Sequence, residues 1–364
     1  MKTTCLKLCS IILVLLMLLV SCGPTGVQGD SDTTDMVEVV ATDAEATDEI
    51  TTEEIVMNET TTEVVTTDTA TTEAATTEAP VEKKQIKNIL MIGNSACCYY
   101  VEEFCGIASA DGYEINLANL YKSGGQLYEH YYSYLNDTRI AKLYLTTSKR
   151  RREVASFSFK EALEYANKYL GGDWDVISLQ GGGMNSLLGD KKKDEQENFK
   201  YATELYNYIR ENNPDVTLYW HQTWAYELGY GKDKGEAYQM NDVEHQKNMY
   251  QIKKDIAYSV AEQNNVKIVP TGDAWEIARK SEIVGTTLCQ RLAINNGEGD
   301  YYHDGDIGGG QYLNACVWYE VLFGESCIGN TWRPTYELSE EKIAILQQAA
   351  HEAVAAVYGA DHAK

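Results

Sequence analysis

The stretch NILMIGNS, residues 88–95, predicts the architecture of the folded part of this chain. Its apolar run is typical of a short strand that is buried on both faces of a sheet. A helical pattern follows at about 100–110, and the same succession of buried strand and helix recurs further along the chain. Strands that alternate with helices favour right-handed crossovers and a parallel sheet covered on both faces. We therefore expect an α/β fold, a three-layer α/β/α sandwich with a mainly parallel sheet.

The remaining elements are predicted from the same periodicities. Further strands are expected at 113–120, 174–179, 216–220 and 266–269, and further helices at 159–170, 194–211, 241–264, 272–282, 311–323 and 339–358. Residues 138–158 are rich in Thr, Ser and Arg, and their pattern fits either a hairpin or a flap.

The first 21 residues have the pattern of a signal peptide. Two lysines precede the apolar run IILVLLMLLV at 11–20, which is shorter than the ~20 residues that a membrane-spanning helix needs. The run ends in LVSC, residues 19–22, which resembles the lipobox of bacterial lipoproteins. The resemblance implies that Cys22 becomes a diacylated N-terminus, which anchors an exported protein to the cell membrane, facing outward. An ordinary signal peptide with an incidental cysteine is the alternative.

An acidic, threonine-rich segment, residues 22–85, follows the signal peptide. Residues 22–82 contain 16 Asp and Glu and no Lys or Arg, and so carry most of the formal net charge of −24. Like charges without aromatic residues cannot bury enough apolar surface to offset the entropy of ordering. The composition therefore predicts an extended, disordered linker, and residues 86–364 are expected to form one globular domain.

The charge of the domain excludes one class of partner. From residue 83 onward the chain has 29 basic and 39 acidic residues, a net charge of −10, and no basic stripe. Nucleic-acid binding is therefore not expected.

Six cysteines follow Cys22, at positions 97, 98, 105, 289, 316 and 327. An even number in an exported protein permits disulfides, and Cys316 with Cys327 is one possible pair, although most are expected to be buried thiols. No CxxC pair or His/Cys cluster has the spacing of a zinc site. The sequence thus predicts neither a metal site nor a cofactor.

Two candidate catalytic motifs stand out. Ser95 follows the first strand on a turn that leads into a helix, where a hydroxyl projects over the sheet edge and backbone N–H groups can stabilise an anion. A helix N-cap serine is the simpler interpretation. Near the end of the domain, Asp300 precedes His303 by three residues, so its carboxylate can turn back to orient the imidazole as a base. An exposed loop histidine is the alternative here.

Possible oxyanion donors follow two other strands. Gly124 lies after the second predicted strand, and Gln180 and Asn185 flank three glycines after the strand at 174–179. Backbone N–H groups and side-chain amides at these positions would lie at one edge of a parallel sheet, where they could converge on a developing oxyanion. A flexible glycine turn is the alternative, and no phosphate-loop pattern is present.

These motifs, in this order, resemble the four sequence blocks of the SGNH (GDSL-like) hydrolase superfamily. Longer strings resemble a subgroup of bacterial SGNH-like proteins; they are ILMIGNS, LANLYKSGGQLYEH, WDVISLQ, HQTWAY and GGGQYLNACVWYEVLFG, within residues 89–324. The resemblance implies a flavodoxin-like hydrolase domain. It makes Ser95 the nucleophile, His303 the general base and Asp300 its orienting carboxylate.

The resemblance also implies an oxyanion hole. Its donors would be the backbone N–H of Ser95, Gly124 and one amide side chain. The third block leaves Gln180 and Asn185 open, because the subgroup pattern LQ favours Gln180 and the pattern GxN favours Asn185. Extra carboxylates at Asp304 and Asp306 fit a solvated loop best.

The substrate expectation rests on aromatic residues and on the superfamily. His221, Trp224 and Tyr226 follow the fourth predicted strand and suit either stacking on sugar rings or a core. Superfamily members remove acyl groups from glycans and lipids. The sequence therefore predicts a surface-anchored serine esterase that removes acyl groups, acetyl above all, from polysaccharide or oligosaccharide. The alternative is a non-catalytic glycan-binding lipoprotein with the same fold.

Overall fold

The computed structural model describes residues 86–147, 150–182, 184–226, 230, 240, 242–281, 309–335 and 338–364. The chain divides into two units, Met1–Glu78 and Ala79–Lys364, and all described residues belong to the second. The predicted signal peptide, Cys22 and the whole predicted linker, residues 22–85, lie outside the described residues. No described helix is both long and apolar enough to cross a bilayer.

A seven-stranded sheet forms the centre of the domain. Its strands are β1 (Asn88–Gly93), β2 (Asn116–Tyr121), β3 (Ala141–Thr146), β4 (Arg151–Phe157), β5 (Val176–Leu179), β6 (Thr217–His221) and β7 (Lys267–Val269). The spatial order is β4-β3-β2-β1-β5-β6-β7. Strands β2, β1, β5, β6 and β7 are parallel to one another, and β3 and β4 continue the sheet as an antiparallel hairpin. The predicted mainly parallel α/β sheet is confirmed.

Helices cover both faces of this sheet. They are α1 (Val101–Ala110), α2 (Leu127–Asn136), α3 (Phe159–Tyr169), α4 (Met184–Leu187), α5 (Lys191–Asn212), α6 (Val243–Asn264), α7 (Thr271–Ala278), α8 (Gly310–Phe323) and α9 (Glu340–Tyr358). Side chains of α1, α7, α8 and α9 pack on one face of the sheet, and side chains of α2, α3, α5 and α6 pack on the other. Each layer of helices thus buries one side of strands that are apolar on both faces.

Strand β1 contributes side chains to both apolar cores, one on each face of the sheet. Ile89 and Met91 belong to the first apolar cluster, and Leu90 and Ile92 belong to the second. Successive side chains of a strand point to opposite faces, so the unbroken apolar run places two residues in each core. Because β1 is central, its carboxyl end lies in the middle of the sheet edge that carries the candidate site.

The sequence left one segment of the fold ambiguous and did not predict one of its helices. The ambiguous residues 138–158 form the β3–β4 hairpin, with an irregularity between Leu143 and Tyr144. Helix α2 was not predicted, because its sequence LYEHYYSYLN is dominated by aromatic residues of modest helix propensity. The Gln126 backbone N–H donates to Glu129 Oε2 at 2.9 Å, which satisfies one of the donors that an N-terminus leaves unpaired.

The described cysteines are Cys97, Cys98, Cys105, Cys316 and Cys327, all of them buried free thiols. The Cys316–Cys327 bridge that the sequence permitted is therefore absent from the structure, and Cys289 lies outside the described residues. Burial raises the pKa of the Cys98 thiol to about 11. These cysteines act as small apolar core residues.

Candidate active site

Ser95 opens a 3₁₀ turn, Ser95–Cys97, immediately after β1. The cap of this turn is Asn94, whose Oδ1 accepts a hydrogen bond from the Ala96 N–H at 3.0 Å. The capping role that the sequence allowed for Ser95 is thus filled by its neighbour. Ser95 is only partly buried, and its hydroxyl makes no hydrogen bond to any residue that the structure describes. The hydroxyl is therefore available for chemistry.

Asn94 also joins the ends of three strands. Its Nδ2 donates to the Gly125 carbonyl at 2.8 Å, in the loop that follows β2. Its backbone N–H donates to Gln180 Oε1 at 3.2 Å, directly after β5. The predicted convergence of the residues after β1, β2 and β5 at one sheet edge is thus seen in the hydrogen bonds of a single asparagine.

Several backbone N–H groups at this edge have no acceptor within the described part of the chain. Those of Ser95 and Gly124 are among them, as are those of Ser123, Gly181 and Gly182. Gly124 is exposed and has a φ of +60°, a conformation that residues other than glycine rarely adopt. It lies next to Gly125, which accepts the hydrogen bond from Asn94. The Ser95 turn and the glycine loop, joined by this hydrogen bond, therefore each carry an unpaired backbone donor.

The side chain of Gln180 holds the turn. Its Oε1 accepts from the Asn94 N–H, and its Nε2 donates to the carbonyl of Gly181. A side chain at Gly93 would meet this amide, since an ideal Cβ there would lie 2.5 Å from Gln180 Oε1. Glycine at position 93 thus lets the amide approach the backbone. The oxygen faces the turn, so only the second hydrogen of Nε2 remains for an oxyanion.

The side chain of Asn185 is directed elsewhere. Asn185 lies in the short helix α4, is 7% exposed, and donates through Nδ2 to Glu197 Oε2 at 2.9 Å. Glu197 belongs to α5. The amide that the GxN pattern offered as an oxyanion donor therefore links two helices in this structure.

Two further residues of the site were missed in the sequence. His130, on α2, is buried, and its Nε2 lies 3.1 Å from the Gly93 carbonyl. Burial lowers the pKa of His130 to about 4, so the ring is neutral and donates that hydrogen bond. Gln126 Nε2 donates to the Gly124 carbonyl at 3.3 Å. Both residues fall in LANLYKSGGQLYEH, but the helix that orients them was not predicted.

Asp300 and His303 lie outside the described residues, as do Asp304 and Asp306. The described segment resumes at Gly309, which caps α8 with a φ of +87°. The catalytic triad therefore stays a prediction at these two positions.

The aromatic residues after β6 lie mostly in the core. His221 and Trp224 are 1% and 2% exposed, and Trp224 stacks on Trp275 with ring centroids 4.5 Å apart. Tyr226 is partly buried and packs on Tyr230 at 4.3 Å. The interpretation of His221 and Trp224 as sugar-stacking residues is corrected: buried rings offer no face to a ligand, and both contribute to packing.

A buried polar cluster lies behind the same edge. Lys253 Nζ donates to Thr223 Oγ1, and burial lowers the pKa of Lys253 to about 8, with Asp194 opposing that shift. A cavity of about 20 Å³ lies among these residues, beside Ser186 and Asn198, which is large enough for one water molecule. Among the described residues no group of three His, Cys, Asp or Glu side chains could hold a metal ion.

Comparisons with known proteins agree with this architecture. The model of a family described as domain of unknown function (DUF4886) matches residues 88–353. A crystal structure of a DUF4886 family protein from Bacteroides uniformis is 25% identical, with a TM-score of 0.59 over 75% of this chain and 96% of that one. No curated protein sequence matches the chain.

More distant solved structures include GDSL-like lipases and esterases. A GDSL-like lipase from Bacteroides thetaiotaomicron is 11% identical, with a TM-score of 0.33 over 65% of this chain and 89% of that one. An acetylxylan esterase from Geobacillus stearothermophilus, in a catalytic mutant, is 14% identical, with a TM-score of 0.36 over 69% of this chain and 97% of that one.

Proposed function

This chain belongs to the DUF4886 family, and we propose that it is a serine esterase of the SGNH type. Its nucleophile is Ser95, its general base is His303, and Asp300 orients that base. The reaction is the removal of acyl groups, acetyl above all, from carbohydrate.

One observation carries the proposal. A serine hydroxyl and two backbone N–H groups, of Ser95 and Gly124, are unpaired among the described residues at the carboxyl edge of a parallel sheet. Both positions are open to solvent, and backbone N–H groups near a nucleophile can stabilise a tetrahedral oxyanion. Asn94 and Gln180 fix this arrangement before any ligand arrives.

The reaction proceeds by acyl transfer in two steps. His303 accepts the hydroxyl proton as Ser95 Oγ attacks the ester carbonyl, and the carbonyl oxygen becomes an oxyanion held by the two N–H groups. The C–O bond to the sugar breaks, and the sugar oxygen takes the proton from His303. Water then attacks the acyl-enzyme with His303 again as base, which releases the carboxylic acid and restores the serine.

An amide side chain completes the oxyanion hole. Gln180 lies against the Asn94 backbone, whereas Asn185 is directed to Glu197. The second Nε2 hydrogen of Gln180 is therefore the better candidate for the third donor, and the Oε1 contact fixes its position.

The location proposed for the enzyme follows from the N-terminal sequence. An apolar run that ends in LVSC supports export and diacylation of Cys22, and the acidic segment after it supports a long tether. An outward-facing, tethered esterase meets extracellular polysaccharide rather than cytoplasmic metabolites. Acylated polysaccharide or oligosaccharide is therefore the proposed substrate.

Hydrolysis assays test the proposal. The full chain is incubated with short-chain aryl esters and with a panel of acetylated glycans, and released acid is measured for wild type, Ser95→Ala, His303→Ala and Asp300→Asn. We expect turnover that falls by about 10³-fold or more in Ser95→Ala while the melting temperature stays nearly unchanged, because a partly exposed hydroxyl contributes little to folding. Unchanged turnover in Ser95→Ala would contradict the proposal.

A further inference from the structure

Six tyrosines form one surface on helices α2 and α5. Four of them come from α2 and two from α5; they are Tyr128, Tyr131, Tyr132, Tyr134, Tyr201 and Tyr208. We call this set the tyrosine surface. Tyr132 is 48% exposed and the neighbouring Leu135 is 49% exposed. The other five tyrosines are partly buried, so the set lies at the surface of the domain rather than in its core.

The rings form a continuous cluster between the two helices. Tyr201 lies in the centre, with its ring centroid 5.0 Å from that of Tyr131 and 6.4 Å from those of Tyr128 and Tyr132. Tyr134 and Tyr208 extend the cluster, with centroids 4.5 Å apart. Rings packed on one another lose little further entropy when they bind a ligand, because their rotamers are already restricted.

The tyrosine surface begins at the catalytic edge of the sheet. Helix α2 starts at Leu127, directly after the loop that carries Gly124 and Gln126, and Tyr128 is its second residue. From there to Tyr134 the helix rises ~9 Å away from the edge.

Helix α5 starts from the same edge. Its Asn198 approaches the loop after β5 so closely that a Cβ at Gly181 would clash with Asn198 Oδ1. Tyr201 follows on the next turn of α5. Both halves of the tyrosine surface therefore lead away from the proposed oxyanion hole.

Carboxylates outnumber lysines around the tyrosine surface. Lys200 Nζ lies 5.5 Å from the ring centroid of Tyr201, and Lys160 Nζ lies 5.4 Å from that of Tyr134. Desolvation and the charges of nearby carboxylates raise the pKa of Tyr128 and of Tyr208; the carboxylates are Glu129 and Glu197 for the first, and Glu164, Asp137 and Glu211 for the second. This surplus of negative charge disfavours a polyanionic ligand.

We propose that the tyrosine surface binds the polysaccharide chain whose acyl groups Ser95 removes, a second contact beyond the ester itself. The proposal rests on the proposed esterase function for the identity of the chain. Tyrosine combines an apolar ring, which stacks on the C–H faces of a sugar, with a hydroxyl that bonds to sugar hydroxyls. Continuity with the oxyanion hole favours an extended acylated glycan, and the surplus of carboxylates disfavours an acidic one.

Binding to a glycan array tests the tyrosine surface without any need for hydrolysis. The array carries acetylated and deacetylated polysaccharides, and the probe is the full chain with Ser95→Ala, so that the ligands stay intact. We expect binding to an acetylated polysaccharide that weakens by about ten-fold in Tyr132→Ala and further in Tyr128→Ala with Tyr132→Ala. Tyr132→Trp keeps a stacking ring and should retain binding.

A matched control is available in Tyr169, which is 67% exposed at the end of α3. Tyr169→Ala should bind the array as its parent does. In catalysis, Tyr132→Ala in the otherwise wild-type chain should raise KM for an acetylated polysaccharide and leave kcat/KM for 4-nitrophenyl acetate unchanged. Melting temperatures verify that each variant is folded.

Several results would overturn the inference. They are an array that retains no wild-type or Ser95→Ala protein, equal binding by Tyr132→Ala and Tyr169→Ala, and a dimer in sedimentation that dissociates in Tyr132→Ala. The last would make the tyrosine surface a contact between copies. Glycan binding that depends on Tyr132, in a protein without esterase activity, would instead refute the proposed function and leave the binding surface standing.

Discussion

At the scale of single residues, the backbone of Gly93 is held by side chains from two directions. Its carbonyl accepts a hydrogen bond from His130 Nε2 at 3.1 Å, and the amide of Gln180 packs against its Cα, where a Cβ would clash. Gly93 immediately precedes the Asn94–Ser95 turn. Any shift of its carbonyl therefore moves Ser95, the proposed nucleophile, and its backbone N–H group.

Substitution of His130 tests this coupling. His130→Leu removes one of the two donors to the Gly93 carbonyl, which still accepts from the Lys122 N–H, and we expect it to lower the free energy of unfolding by about 0.5–1.5 kcal/mol. The turnover of aryl esters should fall as well, because the Ser95 turn loses its support. Urea denaturation and steady-state kinetics measure the two effects.

His130→Gln is the matched control, since its amide can still donate to the Gly93 carbonyl. It should lose less stability and less turnover than His130→Leu. Equal losses in the two variants would show that the ring fills space and that its hydrogen bond is unimportant.

At the scale of elements, the amide residues after β5 belong to different structures. Gln180 is the first residue beyond the strand, and Asn185 lies in helix α4. The helix directs the Asn185 amide to Glu197 on α5, away from the Asn94 turn that Gln180 contacts. A position at the end of a strand is rigid, and an oxyanion donor has to be fixed before charge develops.

The kinetics of two alanine variants separate these roles. Gln180→Ala should lower kcat by about 10²–10³-fold with little change in KM, because both the donor and the support of the turn are lost. Asn185→Ala should have a smaller effect on kcat. The reverse order, measured with the same aryl ester, would make Asn185 the oxyanion donor.

Elements also show how much of the fold the sequence could predict. Strand β1 was predicted to within one residue, because an apolar run bounded by a glycine turn has one good interpretation. Helix α2 was missed, because four tyrosines on a ten-residue helix obscure its periodicity. Ser95, Gly124 and Gln180 were found because each follows a strand. His130 and Gln126 depend on the direction of α2, which local sequence does not reveal.

At the scale of the whole molecule, aromatic and polar side chains are distributed between core and surface in a way that composition alone did not predict. Trp224 and His221 are in the core, whereas the six residues of the tyrosine surface are exposed or only partly buried. Tertiary contacts decide this difference, since Trp224 stacks on Trp275 from a distant helix. The sequence therefore could not separate buried aromatic residues from exposed ones.

The buried histidines predict how stability depends on pH. Burial lowers the pKa of His221 to about 3 and that of His130 to about 4. Below pH ~6.5 the unfolded chain binds protons at these residues and the folded chain does not. The free energy of unfolding therefore decreases as the pH is lowered. Each histidine should contribute up to about 1.4 kcal/mol per pH unit. Urea denaturation at pH 7, 6 and 5 measures the slope.

A variant isolates this contribution. His221→Asn removes one titrating group, and its stability should vary less between pH 6.5 and 5 than that of wild type, whatever its absolute stability. An identical slope in the variant would mean that His221 is not held neutral in the folded state.

Covalent labelling tests most directly whether Ser95 is the nucleophile of a serine esterase. The full chain is treated with a fluorophosphonate, which reacts with serine hydroxyls that a neighbouring base activates and an oxyanion hole supports. We expect one adduct per chain, which mass spectrometry locates on the peptide that contains Ser95. The adduct should be absent from the Ser95→Ala and His303→Ala variants. Labelling of a residue other than Ser95 would contradict the assignment of Ser95 as the nucleophile. Full labelling of the Ser95→Ala variant, with its hydrolytic activity retained, would contradict it as well.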